Sequence, residues 1–588
     1  MKYVRRTSYD IKDNFIPNLL KDRGIINEDN EDNEEMYFYP TEEVELNSCQ
    51  LDNIDAGIEL LEKNLNNKIL IIVDSDFDGF SSAALMYNYL KAIKNNIDID
   101  YLLPQGKEHG FQMKMEYLME SKRCDLIIIP DAGSSDHDEM KQLKNFGYEI
   151  LCLDHHIFDY YDENAVVINN QGGDYPNRSL SGVGVVYKFI EAYDSKMNLE
   201  SNLEQYLDLV ACGETGDMMD MNTLENRYYL RGLKHFVNFG LRGLIKQQAY
   251  PLFTMKAEEI TENFLNNCSL TQIQVAFYIV PLINALIRIG SDSEKDILFR
   301  AFINGDEKVP STKRGHKGEY ETIAEQAART CSNARTRQNK EKDKAIELLD
   351  IQIIENCLDD NKILILNADE LDTPNTLTGL VAMGVAAKYK KPVMLGRINS
   401  NGEFKGSIRG RGESELKDFR QLLLDSNLMD YVQGHANAAG YSIKEKNIEK
   451  LLNYANNKLE NIDFHQGLYE IDFSLNGNSP KLGQLILDID KYKDVFGQNN
   501  DEPIILIESV PVENLRLVGV NKTTINFKFN EIEYVKFKDQ ELADTLLNNR
   551  NSTVNIIGRA SMHEWLGRKT PQIQIIDMEF CNDKMADF

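Results

Sequence analysis

The chain has 588 residues, more than one ordinary hydrophobic core organises, so we expect about three to five domains. Hydrophobic residues make up 42% and charged residues 27% of the sequence, which argues against a disordered or fibrous protein. There are 65 lysine and arginine residues against 94 aspartate and glutamate residues, a net charge of −29. This balance excludes a protein that coats duplex DNA through its overall charge, so any contact with nucleic acid must be local.

The N-terminal 66 residues form a predicted acidic, mostly helical preface, domain 1–66. It contains the run NEDNEDNEE, for which charge repulsion predicts a solvated loop. The first residues, MKYVRRTSYDIKDNF, lack the apolar segment of a signal peptide, and no stretch reaches the roughly 18 uninterrupted apolar residues of a membrane span. The eight cysteines include no CxxC pair. We therefore expect a cytoplasmic protein that makes no membrane contact.

From Lys68 the pattern changes to short apolar runs, KILIIV, DLIIIP, YEILCL and AVVIN, separated by segments with helical periodicity. Buried strands that alternate with helices are typical of a parallel α/β sheet, here predicted for residues 67–310, with mainly helical structure from about 200 to 300. Few helix breakers occur in 311–358, which predicts a connector of one or two long helices. A second α/β pattern follows at 359–467, and short alternating strands predict a small β-barrel at 468–588.

Three carboxylates follow the first strand, in the segment DSDFDG: Asp74, Asp76 and Asp78. Carboxylates so close together repel one another unless a cation neutralises them, which indicates a site for a hard metal ion. A calcium EF-hand loop is disfavoured because its twelfth position is Leu85 and a strand precedes it. A solvated acidic turn remains the alternative for this segment taken alone.

Two further strands end in polar residues, and functional groups gather at the carboxyl ends of parallel strands. Asp131 follows DLIIIP, and Asp154, His155 and His156 follow YEILCL, while Asp217 lies beyond a helical segment. Taken singly, a turn-capping aspartate or a buried structural histidine explains each of them equally well. Together they supply carboxylate and imidazole ligands without thiolates, which favours manganese or magnesium over structural zinc. Two such ions about 4 Å apart hydrolyse phosphate esters.

These residues resemble the DHH phosphoesterase superfamily, with DSDFDG as its first motif and Asp154-His155-His156 as its signature. The segments LLKDRGI, NNQGGDYPNRSLSGVGVVYKFI and PLINALIRIG resemble RecJ-type single-strand-specific exonucleases. The run from GLVAMGVAAKYKKPVM through GSIRG to QGHANAAG resembles the DHHA1 domain, and the C-terminal segment resembles the RecJ OB-fold. The resemblance implies a DHH domain and a DHHA1 domain joined by the helical connector, followed by an OB-fold.

The resemblance also implies roles for individual residues. Two divalent ions, Mn2+ with Mg2+ as the alternative, would be held by Asp76, Asp78, Asp131, His155 and Asp217, with Asp74 a further ligand. His156 would contact the scissile phosphate and Asp154 would orient a neighbouring ligand. The side chain of Arg288, in PLINALIRIG, would stabilise phosphoryl oxygens, for which a structural ion pair is the alternative.

In GSIRG, Ser407 and Arg409 occupy the family's site for a terminal 5′ phosphate, and Gly434 and His435 of QGHANAAG would face the substrate. A strand-end turn and a packed turn are the respective alternatives. The sequence departs from the family where a P-x-R-x-E-x-G-Y segment is common, because PQGKEHGF has Gly106 in place of the arginine. Phosphate anchoring by the adjacent Lys107 is the replacement that we expect.

The implied activity is 5′→3′ hydrolysis of single-stranded DNA to mononucleotides, in DNA repair, recombination or replication, with a single-strand-binding protein or a helicase as a further partner. Nine basic side chains within 313–344 provide local positive charge for the strand, although a solvated helix with alternating charges explains them equally well. Two rivals stay open. One is a DHH phosphodiesterase that cleaves short oligonucleotides or cyclic dinucleotides, and the other is a non-catalytic DNA-binding relative.

Overall fold

The structure is a computed structural model that describes residues 1–7, 14–26, 31–106, 109–519, 522–549, 552–565 and 568–581. The chain forms two compact units. The larger unit contains residues 24–335 and 492–502, and the smaller unit contains residues 1–23, 336–491 and 503–588. Lys107 lies outside the described residues, as does the beginning of the acidic run NEDNEDNEE.

A five-stranded parallel sheet forms the centre of the larger unit. Its strands are β1 (Ile69–Ile72), β2 (Ile99–Leu102), β3 (Leu126–Pro130), β4 (Glu149–Asp154) and β5 (Val166–Asn169). The spatial order is β2-β1-β3-β4-β5, so the direction of strand addition reverses between β1 and β3. Alternate residues of β1 enter different apolar cores, Ile69 and Ile71 on one face and Leu70 and Ile72 on the other. Loops at the carboxyl ends of β1 and β3 therefore meet at the reversal point, where α/β proteins place ligand sites.

Helices cover both faces of this sheet and continue beyond it. Those that build the site are α1 (Phe77–Ile93), α2 (Gly182–Met197), α3 (Leu207–Gly216) and α4 (Val280–Ile289). The remaining α-helices that lie wholly in the larger unit are Glu31–Phe38, Ile54–Asn64, Met115–Glu120, His137–Phe146, Leu224–Tyr229, Phe239–Gln247, Ala249–Phe253, Glu262–Asn267, Gln272–Gln274 and Asp292–Ile303. This confirms the predicted helical character of the region from about 200 to 300.

Two local predictions need correction. The acidic run does not stay a loop in its described part, because a helix begins at Glu31 and its Tyr37 is buried against the guanidinium of Arg227. Tertiary contact at the end of this helix outweighs charge repulsion at its start. The segment 311–322 is not helical either, since Lys308–Pro310 pairs with Tyr320–Thr322 in a short hairpin. A single long helix, α5 (Ile323–Glu355), then follows.

The hairpin is held by ion pairs that use some of the basic side chains noted in the sequence. Arg329 contacts both carboxylate oxygens of Glu321 at 2.6 and 2.8 Å, and Lys313 lies 3.6 Å from the same group. These two basic residues therefore have a structural partner within the chain.

One helical stretch among the described residues, Gln272–Ile289, is long and apolar enough to cross a membrane. Half of it is buried inside the fold, as in core helices of soluble proteins, and a π-helical turn, Val275–Ile279, lies near its N-terminal end. It is weak evidence for a membrane span.

The smaller unit contains a second five-stranded sheet. Its strands are β6 (Leu364–Asn367), β7 (Val393–Ile398), β8 (Glu403–Arg409), β9 (Met429–His435) and β10 (Ala438–Lys444), in the order β9-β10-β8-β7-β6. Only the β6 and β7 pair is parallel among these strands. The helices α6 (Thr378–Tyr389), Phe419–Asp425 and Ile448–Lys458 accompany it.

A seven-stranded sheet follows in the same unit. Its strands in chain order are Phe473–Asn476, Ile505–Pro511, Arg516–Val518, Thr524–Phe529, Ile532–Lys536, Thr553–Trp565 and Arg568–Phe580. Helices Lys481–Lys491 and Gln540–Asn548 belong to it. The N-terminus contributes helix Phe15–Asp22 and a strand, Lys2–Arg5, that pairs in parallel with Leu468–Ile471.

Candidate metal centre and active site

The loop between β1 and α1 carries the three predicted aspartates in a tight turn. Asp76 caps α1, with its Oδ1 accepting a hydrogen bond from the Gly79 amide at 3.1 Å. A Cβ atom at Gly79 would lie 2.5 Å from the Cβ of Asp74, so the turn needs glycine there. Asp78 is buried and accepts hydrogen bonds from the amides of Gly182 and Val183 at 2.6 and 3.1 Å. The first turn of α2 thus fixes Asp78, because free amides at a helix N-terminus favour a carboxylate.

Asp131 lies at the end of β3 in a strained position. Its φ is +65°, in the left-handed region, and its side chain is buried. Its amide donates to the carbonyl of Leu153 at 2.8 Å, which holds this conformation. A Cβ atom at Gly182 would lie 2.4 Å from both the Cβ and Oδ1 atoms of Asp131. The glycine in the SGVGVV segment is therefore required by close approach to a candidate ligand.

His155 brings the candidate ligands from three loops together. Its Nε2 atom lies 3.3 Å from Asp131 Oδ1 and 3.4 Å from Asp217 Oδ2. Nε2 of His155 is thus directed at acids from two other loops. Within the described residues, neither this Nε2 nor Asp131 Oδ1 has a hydrogen-bond partner, although both are buried. Buried polar atoms without partners are rare, and a metal ion would satisfy both.

The side chain of His156 is oriented differently from that of His155, and a hydrogen bond to Asp154 fixes its orientation. Oδ1 of Asp154 accepts from Nδ1 of His156 at 2.8 Å and from the amide of His155 at 2.7 Å, while Oδ2 accepts from the Ser134 amide at 3.0 Å. Against the effect of burial, the hydrogen bond to Asp154 raises the pKa of His156 to about 9. The His156 ring is about half exposed, at 51%. Asp154 therefore orients a histidine whose other edge is accessible.

The acids of the site raise one another's pKa. Burial, with repulsion from Asp78 and Asp74, raises the pKa of Asp76 to about 6. Burial and the charges of Asp78 and Asp76 raise the pKa of Asp217 to about 8 and that of Asp131 well above its usual range. These shifts reflect the free energy needed to keep several carboxylates ionised side by side in a buried place. A divalent cation removes that cost, so the charge and the donor atoms both fit such an ion.

Three sets of side chains each place one ligand atom per residue within 4.8 Å of one another. They are Asp131, His155 and His156; Asp78, His155 and Asp217; and Asp74, Asp76 and His109. His109 was not among the residues predicted from the sequence. The feature of the sequence that could have indicated a functional role for His109 is its position in PQGKEHGF, three residues after the glycine that replaces the family arginine.

Arg288 lies in the last turn of α4, within the electrostatic reach of Asp76 and Arg335. Burial lowers its pKa, but an arginine remains charged at neutral pH. The structure thus brings a permanent positive charge near the acidic loop of the larger unit.

The four predicted substrate residues of the second half lie in the smaller unit. Ser407 and Arg409 are on one face of β8, and Gly434 and His435 end β9, with φ at +130° for Gly434. The Arg409 guanidinium lies over the start of α6, where a Cβ atom at Gly379 would be 2.4 Å from Nη2. Of these four residues, Ser407 lines a cavity of about 350 Å³, whose other lining residues are Asn375, Thr378, Gly396, Arg397, Ile398, Asn399, Lys405 and Gly406. Lys107 lies outside the described residues.

Comparisons with known families agree with this architecture. The DHH family, N-terminal domain, matches residues 68–214, and the RecJ OB domain matches residues 481–577. The putative single-strand DNA-specific exonuclease YorK from the SPbeta prophage of Bacillus subtilis strain 168 is 37% identical over 589 residues, which cover 98% of each chain. The single-stranded-DNA-specific exonuclease RecJ of the same strain is 27% identical over 557 residues, covering 92% of this chain and 64% of that relative.

Solved structures show the same fold. RecJ from Thermus thermophilus in complex with Mn2+ superimposes with a TM-score of 0.64 at 20% identity, covering 90% of this chain and 72% of that chain. The complex of the same protein with Mg2+ gives a TM-score of 0.61 at 19% identity, covering 93% and 73%. The predicted α/β fold with a parallel-sheet DHH domain and a C-terminal OB-fold is confirmed. The identity to the prophage relative over the whole chain, together with the two domain matches, shows that this protein belongs to the RecJ-like exonucleases of the DHH superfamily.

Proposed function

We propose that this exonuclease degrades single-stranded DNA from the 5′ end and releases mononucleotides with the help of two divalent metal ions. The observation that carries the proposal is the meeting of His155 Nε2 with Asp131 Oδ1 and Asp217 Oδ2 at 3.3 and 3.4 Å. The names of the relatives support single-stranded DNA as the substrate. The direction of degradation follows from the resemblance to the RecJ family.

The ions would be held by carboxylates and an imidazole from the loops after β1, β3, β4 and α3. The proposed ligands are Asp74, Asp76, Asp78, Asp131, His155 and Asp217. When bound, two such ions would lower the pKa of a water between them and neutralise charge on the phosphoryl oxygens. Mn2+ is the expected ion, with Mg2+ as the alternative, and RecJ structures containing each of them support this choice.

Two side chains of the larger unit would act on the phosphate itself. His156, fixed through Nδ1 by Asp154, leaves its Nε2 edge to donate a hydrogen bond to a phosphoryl oxygen. Arg288 would stabilise the charge that develops on these oxygens, since a guanidinium donates in a fixed planar geometry. Both residues position and stabilise the ester without forming a covalent bond to it.

The smaller unit would bind the end of the strand. Ser407 and Arg409 lie on one face of β8, from which their side chains would donate hydrogen bonds to a terminal 5′ phosphate. Gly434 has a backbone conformation that residues other than glycine rarely adopt, and His435 beside it is proposed to contact the substrate. Lys107 is proposed as a further phosphate contact, in place of the arginine that Gly106 replaces.

The cellular role is proposed from the same resemblance. We infer a cytoplasmic enzyme of DNA repair, recombination or replication that cooperates with a single-strand-binding protein or a helicase. The proposed domains are 1–66, 67–310, 311–358, 359–467 and 468–588, with 311–358 as the connector and 359–467 as the DHHA1 domain.

The test uses single-stranded DNA labelled at the 5′ or the 3′ end, incubated with Mn2+ and the full-length protein. Early release of a labelled mononucleotide from the 5′-labelled strand, and progressive shortening of the 3′-labelled strand, are expected. Asp76→Ala should abolish both, whereas Asp138→Ala, a change at the start of the helix His137–Phe146, should abolish neither.

Three results would contradict the proposal. Cleavage retained in Asp76→Ala would remove the metal mechanism, and early mononucleotide release from the 3′-labelled strand would reverse the polarity. Preference for an oligonucleotide of two to five units over a long strand would instead favour a phosphodiesterase of short substrates.

A further inference from the structure

The imidazole of His109 lies beside the acidic loop, in contact with a candidate metal ligand. Its Nδ1 atom is 2.5 Å from Oδ2 of Asp74, whose side chain is buried. One ligand atom each from His109, Asp74 and Asp76 lies within 4.8 Å of the others. This spacing fits three donors around a single ion. The set shares no residue with the set of Asp78, His155 and Asp217, so the two sets fit two separate ions.

Buried lysines bond the backbone at two described positions near His109. Lys295 Nζ donates to the carbonyl of Pro104 at 2.9 Å, and Lys114 Nζ donates to the carbonyl of Gly110 at 2.9 Å. The amide of Gly110 donates to Asp74 Oδ1 at 3.1 Å. The residue after His109 is therefore anchored to Asp74, which holds the imidazole close to that carboxylate, as a preorganised ligand needs to be.

The hydrogen bonds of the two acids leave suitable atoms for an ion. Asp74 Oδ1 accepts a hydrogen bond from the Gly110 amide and Asp76 Oδ1 accepts one from the Gly79 amide. Within the described residues, Oδ2 of neither carboxylate accepts from a backbone amide, and Oδ2 of Asp74 contacts His109 Nδ1. A divalent ion held by both Asp74 Oδ2 and His109 Nδ1 would replace the hydrogen bond between them, and its proton would pass to solvent, as metal binding to imidazole and carboxylate groups requires.

We propose that Nδ1 of His109 is a metal ligand that completes, with Asp74 and Asp76, one of the two ion positions of the active site. This inference rests on the proposed function. Asp78, Asp131, His155 and Asp217 then hold the other ion, so each position has one imidazole ligand. Nitrogen ligands favour Mn2+ over Mg2+, because Mg2+ prefers oxygen donors. His109 thus makes its ion position selective for manganese.

The test combines a structural and a thermodynamic measurement on the full-length protein. Crystals soaked in Mn2+ should show an anomalous peak about 2.2 Å from His109 Nδ1, near the bond length of other first-row ions to imidazole. Calorimetric titration should find two Mn2+ per wild-type chain. In His109→Gln, one of them should bind at least about tenfold more weakly, with a smaller change for Mg2+. His316→Gln is the matched control, since His316 is also 49% exposed and paired with a carboxylate, that of Glu319.

Different failures are distinguishable. Two ions bound with a manganese peak more than about 3 Å from Nδ1, or unchanged Mn2+ binding by His109→Gln, would overturn the assignment of His109 and leave the proposed function intact. Wild-type protein that binds no Mn2+ and cleaves no DNA would overturn both. Thermal unfolding of His109→Gln in EDTA, equal to that of the wild type, verifies that the variant is folded.

Discussion

The Cα atom of Gly182 approaches Asp131 so closely that a Cβ atom there would lie 2.4 Å from Asp131 Oδ1. The same glycine donates its amide to Asp78 at 2.6 Å. One backbone position thus supports candidate ligands from two different loops.

Gly182→Ala is therefore expected to disrupt the metal centre while the fold persists. The added methyl group must displace Asp131 or the start of α2, and we expect Mn2+ affinity and DNA cleavage each to fall at least about tenfold. Calorimetry and a nuclease assay measure the two effects. The control is Gly483→Ala, because no heavy atom lies within 4 Å of a Cβ at this helical position. Normal Mn2+ binding by Gly182→Ala would refute the requirement for glycine.

Removal of metal should make the stability of the protein depend on pH. The folded-state pKa values of Asp76 and Asp217, about 6 and about 8, lie above that of a free carboxyl group, about 4. Their stabilising contribution is thus present below about pH 4 and lost as pH rises through these values. In EDTA, the free energy of unfolding should fall by at least about 1 kcal/mol between pH 5 and pH 8.

Mn2+ should reverse this trend, because the ligands must lose protons to bind the ion. Urea denaturation at both pH values, with EDTA or with Mn2+, measures the difference. In Asp76→Asn/Asp217→Asn, the pH dependence in EDTA should be weaker. A stability in EDTA that rises from pH 5 to pH 8 in the wild type would contradict the assigned repulsion.

The pair of Asp154 and His156 should set the alkaline limit of activity. Hydrogen bonding to Asp154 raises the pKa of His156 to about 9 despite burial, so the imidazolium persists at neutral pH. Activity that needs this charge is lost as pH rises through that value. In Asp154→Asn, the alkaline limb of the kcat/KM profile should move down by at least about one pH unit, since a neutral amide stabilises the imidazolium less. An unmoved limb would exclude His156 as the group responsible.

Arg409 should determine the preference for a 5′ phosphate. Its guanidinium is charged and lies over the first turn of α6, so we expect Arg409→Gln to reduce the rate ratio between 5′-phosphorylated and 5′-hydroxyl strands about tenfold, as loss of a charge-assisted hydrogen bond would. Competition between the two strands in one reaction measures this ratio. Arg411→Gln is the control from the same segment, and an equal effect of both variants would point to general charge instead.

The sequence alone predicts the strands, because β1, β3 and β4 are continuous apolar runs that a buried parallel sheet requires. It also predicts that Asp74, Asp131 and Asp154 lie at one edge, since parallel strands share the direction of their carboxyl ends. The resemblance of two segments to the DHH and OB domains predicts the protein family, and the comparisons confirm that prediction.

Distant contacts are decided only by the tertiary structure. The hydrophobic pattern of β1 is the same whichever strand pairs with it, so the order β2-β1-β3-β4-β5 and the meeting of His155 with Asp217 emerge only on folding. His109 stays hidden in the sequence because its segment has no periodicity, and its position beside Asp74 depends on contacts between residues far apart in the chain, such as that of Gly110 with Asp74. Local residue patterns determine which elements form, whereas packing between elements far apart in the chain determines which polar atoms share a site.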